Sequence, residues 1–177
     1  MPNPKDTPNP YGHPVYKNWA RQSPEERVKG LMKAHGTAAD EPRSPLPPHR
    51  RLSPSKSGLR HKTSPTTASA IFTFTIPAYY TNGWLNMHGA AQTLIYDNLT
   101  TLALAPISKP GFWMLGGCWM LSFETGGVGE KVTVEVEVVH VGRAAASLRG
   151  VMKDGKGRVL STCEHDKSNI DPEVAKL

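Results

Sequence analysis

One apolar stretch of the chain carries a histidine, a glycine and a single carboxylate at a fixed spacing. In residues 81–106, TNGWLNMHGAAQTLIYDNLTTLALAP, Asp97 follows nine positions after His88. The apolar run between them predicts a helix over residues 88–104. Gly89 would then offer a free backbone N–H at the positive end of the helix dipole, which is a setting that suits a developing oxyanion.

The position of Asp97 needs a chemical explanation. A carboxylate among leucine and isoleucine side chains is costly unless it has a partner or lies in a cleft. A nine-residue spacing separates His88 and Asp97 by about 13.5 Å along the axis and about half a turn around it, so they cannot meet in one chain. The carboxylate and the Gly89 N–H could act together only if a second copy brings its Asp97 to the first copy's Gly89. The structural alternative is that Asp97 faces solvent and His88 packs or caps the helix.

The segments around this helix predict strands. In residues 131–141, KVTVEVEVVHV, valines alternate with threonine and glutamate, which is the pattern of a strand with one wet face. Gly116–Gly117 interrupts another strand and could form a bulge. The five predicted strands are residues 68–76, 112–124, 131–141, 143–153 and 158–165, the last two joined by the turn DGKG. The order indicates an α+β fold in which an antiparallel sheet packs on one long helix.

The N-terminal third differs in composition from the rest. We expect a disordered segment over residues 1–15, a helix over 16–36 with Ser23 as N-cap, and a Pro/Ser-rich basic linker over 37–66. Residues 1–66 hold 12 Lys+Arg against 5 Asp+Glu, a net charge of +7, and the remaining residues hold 9 against 10, a net of −1. Because the basic run lacks aromatic side chains for base stacking, a solvated linker is favoured over a nucleic-acid-binding arm.

Several other classes of protein find little support in the sequence. The two cysteines, Cys118 and Cys163, make neither a disulfide framework nor a zinc site, so we expect no metal. No apolar run approaches the roughly 20 residues of a membrane span, and the first residues do not read as a signal or transit peptide. These features favour an intracellular protein without a membrane segment.

The stretch around His88 resembles the hotdog-fold thioesterase superfamily, in particular the small acyl-CoA thioesterases of the phenylacetyl-CoA type and their fungal members. The matching features are Asn82, Met87-His88-Gly89-Ala90, Asp97 and Thr100-Thr101. The segments FWMLGG, GEKVTVEVEVVHVGR and LRGVMKDGKGRVLSTCEH extend the similarity over roughly residues 69–170. The resemblance implies a hotdog domain over residues 67–168, followed by an exposed tail over 169–177, and self-association of two or four such domains.

The resemblance also implies roles for individual residues. The Gly89 N–H would polarise the thioester carbonyl, and Asp97 of the partner chain would act as general base or nucleophile. Asn82 and His88 would hold the thioester or the water and shape the turn before the helix. A serine or threonine on the second strand commonly assists the aspartate; here the register gives Cys118 or Gly116. Ala90 replaces the second glycine of the motif, and the usual aromatic-x-Arg-Pro segment is shortened.

These features lead to competing hypotheses about function. The first is hydrolysis of an acyl-CoA, with Arg143, Lys153, Lys156 and Arg158 as candidates for contacting the coenzyme A phosphates and no cofactor beyond that substrate. A variant acts on acyl chains held by a carrier protein, as in polyketide pathways. Another is a non-catalytic acyl-CoA-binding protein, suggested by the missing serine. A fourth, less favoured, is nucleic-acid binding through residues 43–62.

The last three residues bear on location. Ala175-Lys176-Leu177 is close to Ser-Lys-Leu, the peroxisomal address, so we expect a peroxisomal protein, with the cytoplasm as the alternative.

Overall fold

The computed structural model describes residues 21–23, 26–27, 66–108 and 115–170. Five strands and one long helix make up most of these residues. The helix, α1, spans Gly89–Leu104. The strands are β1 (Ala68–Thr75), β2 (Leu115–Ser122), β3 (Lys131–Val141), β4 (Ala145–Lys153) and β5 (Val159–Ser168).

The strands form one sheet in the order β1-β3-β4-β5-β2, and every neighbouring pair is antiparallel. The predicted α+β architecture, an antiparallel sheet around a long helix, is therefore confirmed. The predicted bulge at Gly116–Gly117 is wrong, because β2 pairs with β5 in unbroken register across both glycines. The register instead shifts between Val138 and His140 on β3, and between Met152 and Lys153 on β4.

Alternation of apolar residues places the core between α1 and the sheet. On β3 the four alternating valines are 0 to 2% exposed, and on β1 Phe72 and Phe74 are buried beside them. From α1 the largest fully buried apolar side chains are Ile95, Tyr96, Leu99 and Leu104. Burying each such side chain contributes about 1.5–3 kcal/mol, so this layer fixes the helix on the sheet.

A glycine on β4 allows the closest approach of α1 to the sheet. A Cβ at Gly150 would lie 2.7 Å from two ring carbons of Tyr96, which real side chains do not tolerate. The Tyr96 hydroxyl passes over this glycine and donates a hydrogen bond of 2.8 Å to the carbonyl of Ser161 on β5. The helix is thus held over the β4–β5 side of the sheet as well as over β3.

The N-terminal segment is described only at residues 21–23 and 26–27. Ser23 and Glu26 form a reciprocal capping box: the Ser23 N–H donates to Glu26 Oε2 at 2.7 Å, and the Glu26 N–H donates to Ser23 Oγ at 3.3 Å. Gln22 and Ser23 are not helical and Glu26 and Arg27 are, so Ser23 precedes helical residues as an N-cap does. Arg27 Nη1 donates to the carbonyl of Pro106 at 2.7 Å.

Some predicted segments lie outside the described residues. These are residues 1–15, the rest of the N-terminal helix, nearly all of the linker, and residues 171–177 of the tail.

Candidate active site

The start of α1 presents an unused backbone donor. His88 is the N-cap: its Nδ1 accepts the Ala90 N–H at 3.0 Å, and its own N–H donates to the Tyr80 carbonyl at 2.8 Å. Gly89, the first helical residue, has an N–H that donates to no atom in the described part of the chain. The only side-chain atom near a Cβ built on Gly89 is Met120 Cε, at 3.9 Å. A ligand carbonyl could therefore accept the Gly89 N–H at the positive end of the helix dipole.

Asn82 shapes the turn that leads into α1. Its Oδ1 accepts the N–H of Trp84 at 3.0 Å and the N–H of Asn86 at 3.2 Å. Its N–H donates to the Asn86 carbonyl at 2.8 Å, and its carbonyl accepts the Leu85 N–H at 2.9 Å. Leu85 has a positive φ of 62°, so this tight turn includes a conformation that is uncommon outside glycine. Asn82 therefore stabilises the backbone of the turn before α1.

Asp97 lies on the side of α1 that faces β5, and it is half-exposed. Its side chain is 55% accessible, although its helix neighbours Ile95, Tyr96 and Leu99 are buried. Asp97 Oδ1 lies 3.6 Å from Lys167 Nζ and 3.7 Å from His165 Nε2. The carboxylate is thus neither buried without partners nor free on the surface: one oxygen faces two basic groups of β5.

The face of β5 toward α1 is polar. Every second residue is buried, at 0 to 2% exposure: Ser161, Cys163, His165 and Lys167. Ser161 meets the Tyr96 hydroxyl, and His165 Nδ1 shares a 2.7 Å hydrogen bond with Thr100 Oγ1. Each buried polar group of this strand therefore has a partner on α1 or β2, as its desolvation requires.

Burial sets the charge states of the two basic residues. Desolvation, assisted by the neighbouring Lys167, lowers the pKa of His165 to about 4, so the imidazole is neutral at neutral pH. Desolvation also lowers the pKa of Lys167, and the facing Asp97 carboxylate opposes that shift. Lys167 is therefore the only one of the two that can present a positive charge to Asp97 at neutral pH.

These residues line an open pocket of about 740 Å³ between α1, β2 and β5. This volume is within the range of small-molecule sites in proteins. The lining residues are Ala90, Thr93, Leu94, Asp97, Gly116, Cys118, His165 and Lys167. The structure thus brings Asp97 and Cys118 together, whereas Asn82, His88 and Gly89 lie outside the lining.

Neither candidate for the missing hydroxyl supplies one. A Cβ at Gly116 would lie 2.6 Å from the Asp166 carbonyl oxygen and 2.8 Å from His165 Nε2, so the position has no room for a side chain. Cys118 Sγ lies 3.0 Å from Cys163 Sγ on β5. That contact lowers the pKa of Cys118, whereas it and burial raise the pKa of Cys163. The Cys118 thiol is therefore engaged by Cys163.

The basic residues proposed for coenzyme A do not form one cluster. Arg143 is exposed and precedes β4 at the end where Ala145 pairs with Ser168, close in the strand register to Lys167. Lys153 and Arg158 lie at the other end of the β4–β5 hairpin, roughly 26 Å away along β4. Lys153 is paired with Glu135 at 2.7 Å, and Arg158 with Asp154 at 2.7 Å and Glu124 at 3.3 Å. Within one chain these three residues therefore do not converge on one place, and their contact with coenzyme A phosphates stays a prediction.

Two residues of the pocket, His165 and Lys167, were not among the predicted site residues. A signal for them existed: Cys163 lies on the predicted last strand, and residues two and four positions further along a strand share its face. The predicted strand, however, ended at His165, whereas β5 continues to Ser168.

A metal-binding cluster and a membrane-spanning helix are both absent from the described residues. Among them, no group of three or more His, Cys, Asp and Glu side chains could hold a metal ion. None of the helices in the described ranges is long and apolar enough to cross a membrane.

The fold resembles that of solved thioesterase structures. A zebrafish thioesterase superfamily member 2 aligns with a TM-score of 0.63 and 16% identity, over 80% of this chain and 97% of that one. The PaaI protein from the phenylacetic acid degradation operon of E. coli aligns with a TM-score of 0.51 and 18% identity, over 58% and 73%. A hypothetical thioesterase of Streptococcus pneumoniae, solved with coenzyme A, aligns with a TM-score of 0.52 and 17% identity, over 56% and 77%.

At the level of sequence, no family model matches the chain, and no curated protein matches it significantly. The solved structures share less than a fifth of their aligned residues with it, so their similarity establishes architecture. The chain has the hotdog fold, in common with structures of the thioesterase superfamily.

Proposed function

We propose that the protein is a hotdog-fold acyl-CoA thioesterase, of the small phenylacetyl-CoA type, which hydrolyses an acyl thioester to a free acid and coenzyme A. The observation that carries the proposal is the half-exposed Asp97 carboxylate in a pocket of about 740 Å³. In addition, the N–H of Gly89, the first residue of α1, donates to no acceptor in the described part of the chain. A base and an oxyanion donor are the two groups that thioester hydrolysis needs.

The proposed reaction begins with water. Asp97 takes a proton from the water as its oxygen adds to the thioester carbonyl, and the Gly89 N–H donates to the resulting oxyanion. The tetrahedral intermediate then collapses, the C–S bond breaks, and the leaving thiolate takes the proton from Asp97. The products are the carboxylic acid and the thiol of coenzyme A, and Asp97 returns to its ionised form.

In this proposal each site is shared by two copies of the chain. Gly89 and Asp97 are eight residues apart on α1, about 12 Å along its axis, too far for both to contact one carbonyl and its attacking water. β2 is an edge strand of the described sheet, and Trp119, Leu121 and Phe123 are 64 to 82% exposed along and just beyond it. Such an apolar edge favours association, so a homodimer or tetramer would bring Gly89 of one copy to Asp97 of another.

The finer features of the substrate are also part of the proposal. Arg143 is the best-placed of the predicted cations for a coenzyme A phosphate, because no acidic group of the described chain pairs with it and it lies at the pocket end of β4. The terminal Ala175-Lys176-Leu177, which lies outside the described residues, supports delivery to the peroxisome, where acyl-CoA substrates occur. With a carrier-protein substrate the same hydrolysis would release the thiol of the carrier protein in place of coenzyme A.

The test is thiol release from short, long, aromatic and branched acyl-CoAs. Asp97→Asn should lower kcat about a hundredfold or more, as loss of an acid–base group does. Asp166→Asn is the matched control: its carboxylate is on the opposite face of β5, where Oδ1 accepts a hydrogen bond from the Ser147 hydroxyl at 2.8 Å, and activity should change less than about twofold. Wild type that releases no thiol from any acyl-CoA, or Asp97→Asn that remains active, would contradict the proposal.

Asp97→Asn leaves the buried Lys167 without its counter-ion, so its folding needs a check. The double variant Asp97→Asn/Lys167→Met removes both charges and should be as inactive as Asp97→Asn while unfolding no more easily than wild type. A double variant that regains activity would show that the single substitution acted through unfolding.

Gly89→Pro tests the oxyanion donor alone. Proline removes the N–H, is well accepted at the first position of a helix, and follows an extended residue, since His88 has φ −67° and ψ 139°. We expect kcat to fall about a hundredfold or more, the usual effect of losing one oxyanion donor, whereas Gly89→Ala, which keeps the N–H, should lose much less. Equal losses in the two variants would assign the effect to the side chain and not to the N–H.

A non-catalytic acyl-CoA-binding protein is the second candidate, and one observation favours it. The pocket holds no hydroxyl at Gly116 or Cys118 to assist the carboxylate. Calorimetric titration with the same acyl-CoAs distinguishes the two candidate functions. Saturable binding without thiol release would support the binding protein and contradict hydrolysis of these acyl-CoAs.

A further inference from the structure

A buried lysine on β5 points its charge at Asp97. The Lys167 side chain is 3% exposed, and its Nζ lies 3.6 Å from Asp97 Oδ1. Burying an ammonium group costs several kcal/mol unless it is paired, so a lysine is rarely found there without a reason. The described chain offers Nζ no other carboxylate within ion-pair distance. The pairing with Asp97 is therefore specific.

The other groups around Asp97 cannot take the same part. His165 touches the same oxygen at 3.7 Å but is neutral near pH 7, and it is already bonded to Thr100. Gly116 has no side chain and no room for one, and Cys118 is engaged by Cys163. Asp166, which also acts on His165, has its carboxylate bonded to Ser147 on the outer face of the sheet. Lys167 is thus the single cationic partner of Asp97 in the described chain.

We infer that Lys167 is a positioning residue for Asp97: its ammonium holds Oδ1 and leaves Oδ2 to accept the proton of the attacking water. This inference rests on the proposed function. Asp97 Oδ2 has no hydrogen-bond partner within the described chain, and the half-exposed side chain would otherwise sample several rotamers in solvent. An ion pair from a buried, fixed partner selects one of them. Holding a base in its reactive geometry raises the rate of the chemical step without tightening substrate binding.

In this account Lys167 fills the place of the hydroxyl that the resemblance led us to expect on β2. It approaches Asp97 from β5 instead, and it contributes a charge where a serine would contribute a neutral hydrogen bond. The ammonium adds a Coulombic attraction to the carboxylate that a neutral hydroxyl lacks.

The experiment compares Lys167→Met and Lys167→Arg with wild type, using the best acyl-CoA of the panel. Lys167→Met should lower kcat about tenfold to a hundredfold with KM changed less than about twofold, and Lys167→Arg, which keeps the charge, should recover most of the loss. Lys131→Met is the matched control, since Lys131 is an exposed lysine at the start of β3, and its kcat should be that of wild type.

A double-mutant cycle separates positioning from a general structural effect. If Lys167 acts through Asp97, the double variant Asp97→Asn/Lys167→Met should be no less active than Asp97→Asn alone. Multiplied losses, a loss confined to KM, an unchanged kcat in Lys167→Met, or an arginine variant no better than methionine would each overturn the inference. Its failure is distinct from failure of the proposed function, which shows as an inactive wild type or an active Asp97→Asn.

Discussion

β3 and β5 lie in the same sheet, on either side of β4, and both turn every second residue toward the core. The inner face of β3 is four valines, Val132, Val134, Val136 and Val138, and the inner face of β5 is Ser161, Cys163, His165 and Lys167. Both sets are at most 2% exposed. Equal burial therefore coexists with opposite chemistry, so burial alone does not say what a strand contributes.

The difference lies in what faces each strand. The β3 valines need only apolar neighbours, and burial stabilises each of them. The polar groups of β5 are tolerated because each has a defined partner: Tyr96 for Ser161, Cys118 for Cys163, Thr100 for His165 and Asp97 for Lys167. One side of the molecule holds the fold together, and the other holds a set of groups in place at an open pocket.

We expect the inner face of β3, unlike that of β5, not to tolerate a buried charge. Val134→Lys places an ammonium on the β3 face without a partner, and we expect it to lower the free energy of unfolding by more than about 4 kcal/mol or to prevent folding. Val139→Lys makes the same change on the same strand at a position that is 43% exposed, and it should stay within about 0.5 kcal/mol of wild type. Urea denaturation of both variants measures this; similar stabilities would show that β3 has partners for a charge.

β5, unlike the valine face of β3, should make the stability of the protein depend on pH. The pKa of His165 is about 4 in the folded protein against 6.5 when unfolded, so the unfolded chain binds the proton more tightly. Stability from this group is complete above about pH 6.5 and is lost as the pH falls to about 4. We expect this loss to be about 3 kcal/mol, because the folded and unfolded pKa values of His165 differ by about 2.5.

The corresponding measurement is denaturant unfolding between pH 7 and pH 4. His165→Gln should remove about 3 kcal/mol of the acid-induced loss seen in wild type. His140→Gln, at an exposed position of β3, should leave the pH dependence of wild type unchanged. Parallel curves for wild type and His165→Gln would contradict the assignment.

The smallest effect concerns the stability of Lys167→Met. Removing the ammonium leaves Asp97, whose half-exposed carboxylate is solvated by water, so no unpaired charge remains buried. We expect the free energy of unfolding to stay within about 1 kcal/mol of wild type, or to rise, by the same denaturation assay. A loss above about 3 kcal/mol would mean that the polar face of β5 also holds the fold.

The two strands also differed in how far the sequence could predict them. Strict alternation of valine with polar residues identified β3 to its last residue, because an apolar inner face is the pattern that burial produces. The same alternation exists on β5, but Asp166, Lys167 and Ser168 are polar on both faces, so the strand was ended too early. In a sequence, a polar residue that is buried against a specific partner looks the same as an exposed polar residue, because the partner is located only by the structure.

The candidate site shows the same limit. The spacing of Gly89 and Asp97 pointed to both residues, and the side of α1 that carries Asp97 follows from helical geometry. That β5 supplies Lys167 depends on the pairing order of the sheet, which brings its C-terminal end beside α1 and β2. The glycine pair Gly116–Gly117 predicted a bulge because glycine often marks one, whereas Gly116 here makes room for His165.

That close packing at Gly116 has a consequence for how this site can change through evolution. A serine can enter at position 116 only together with a smaller residue at 165 and a shift of the β5 backbone at Asp166, since both occupy the space of its Cβ. Taken singly, each substitution should be unfavourable, because the first would clash and the second would leave a cavity beside Thr100. A serine hydroxyl at position 116 therefore cannot be introduced by a single substitution, whether in evolution or by design.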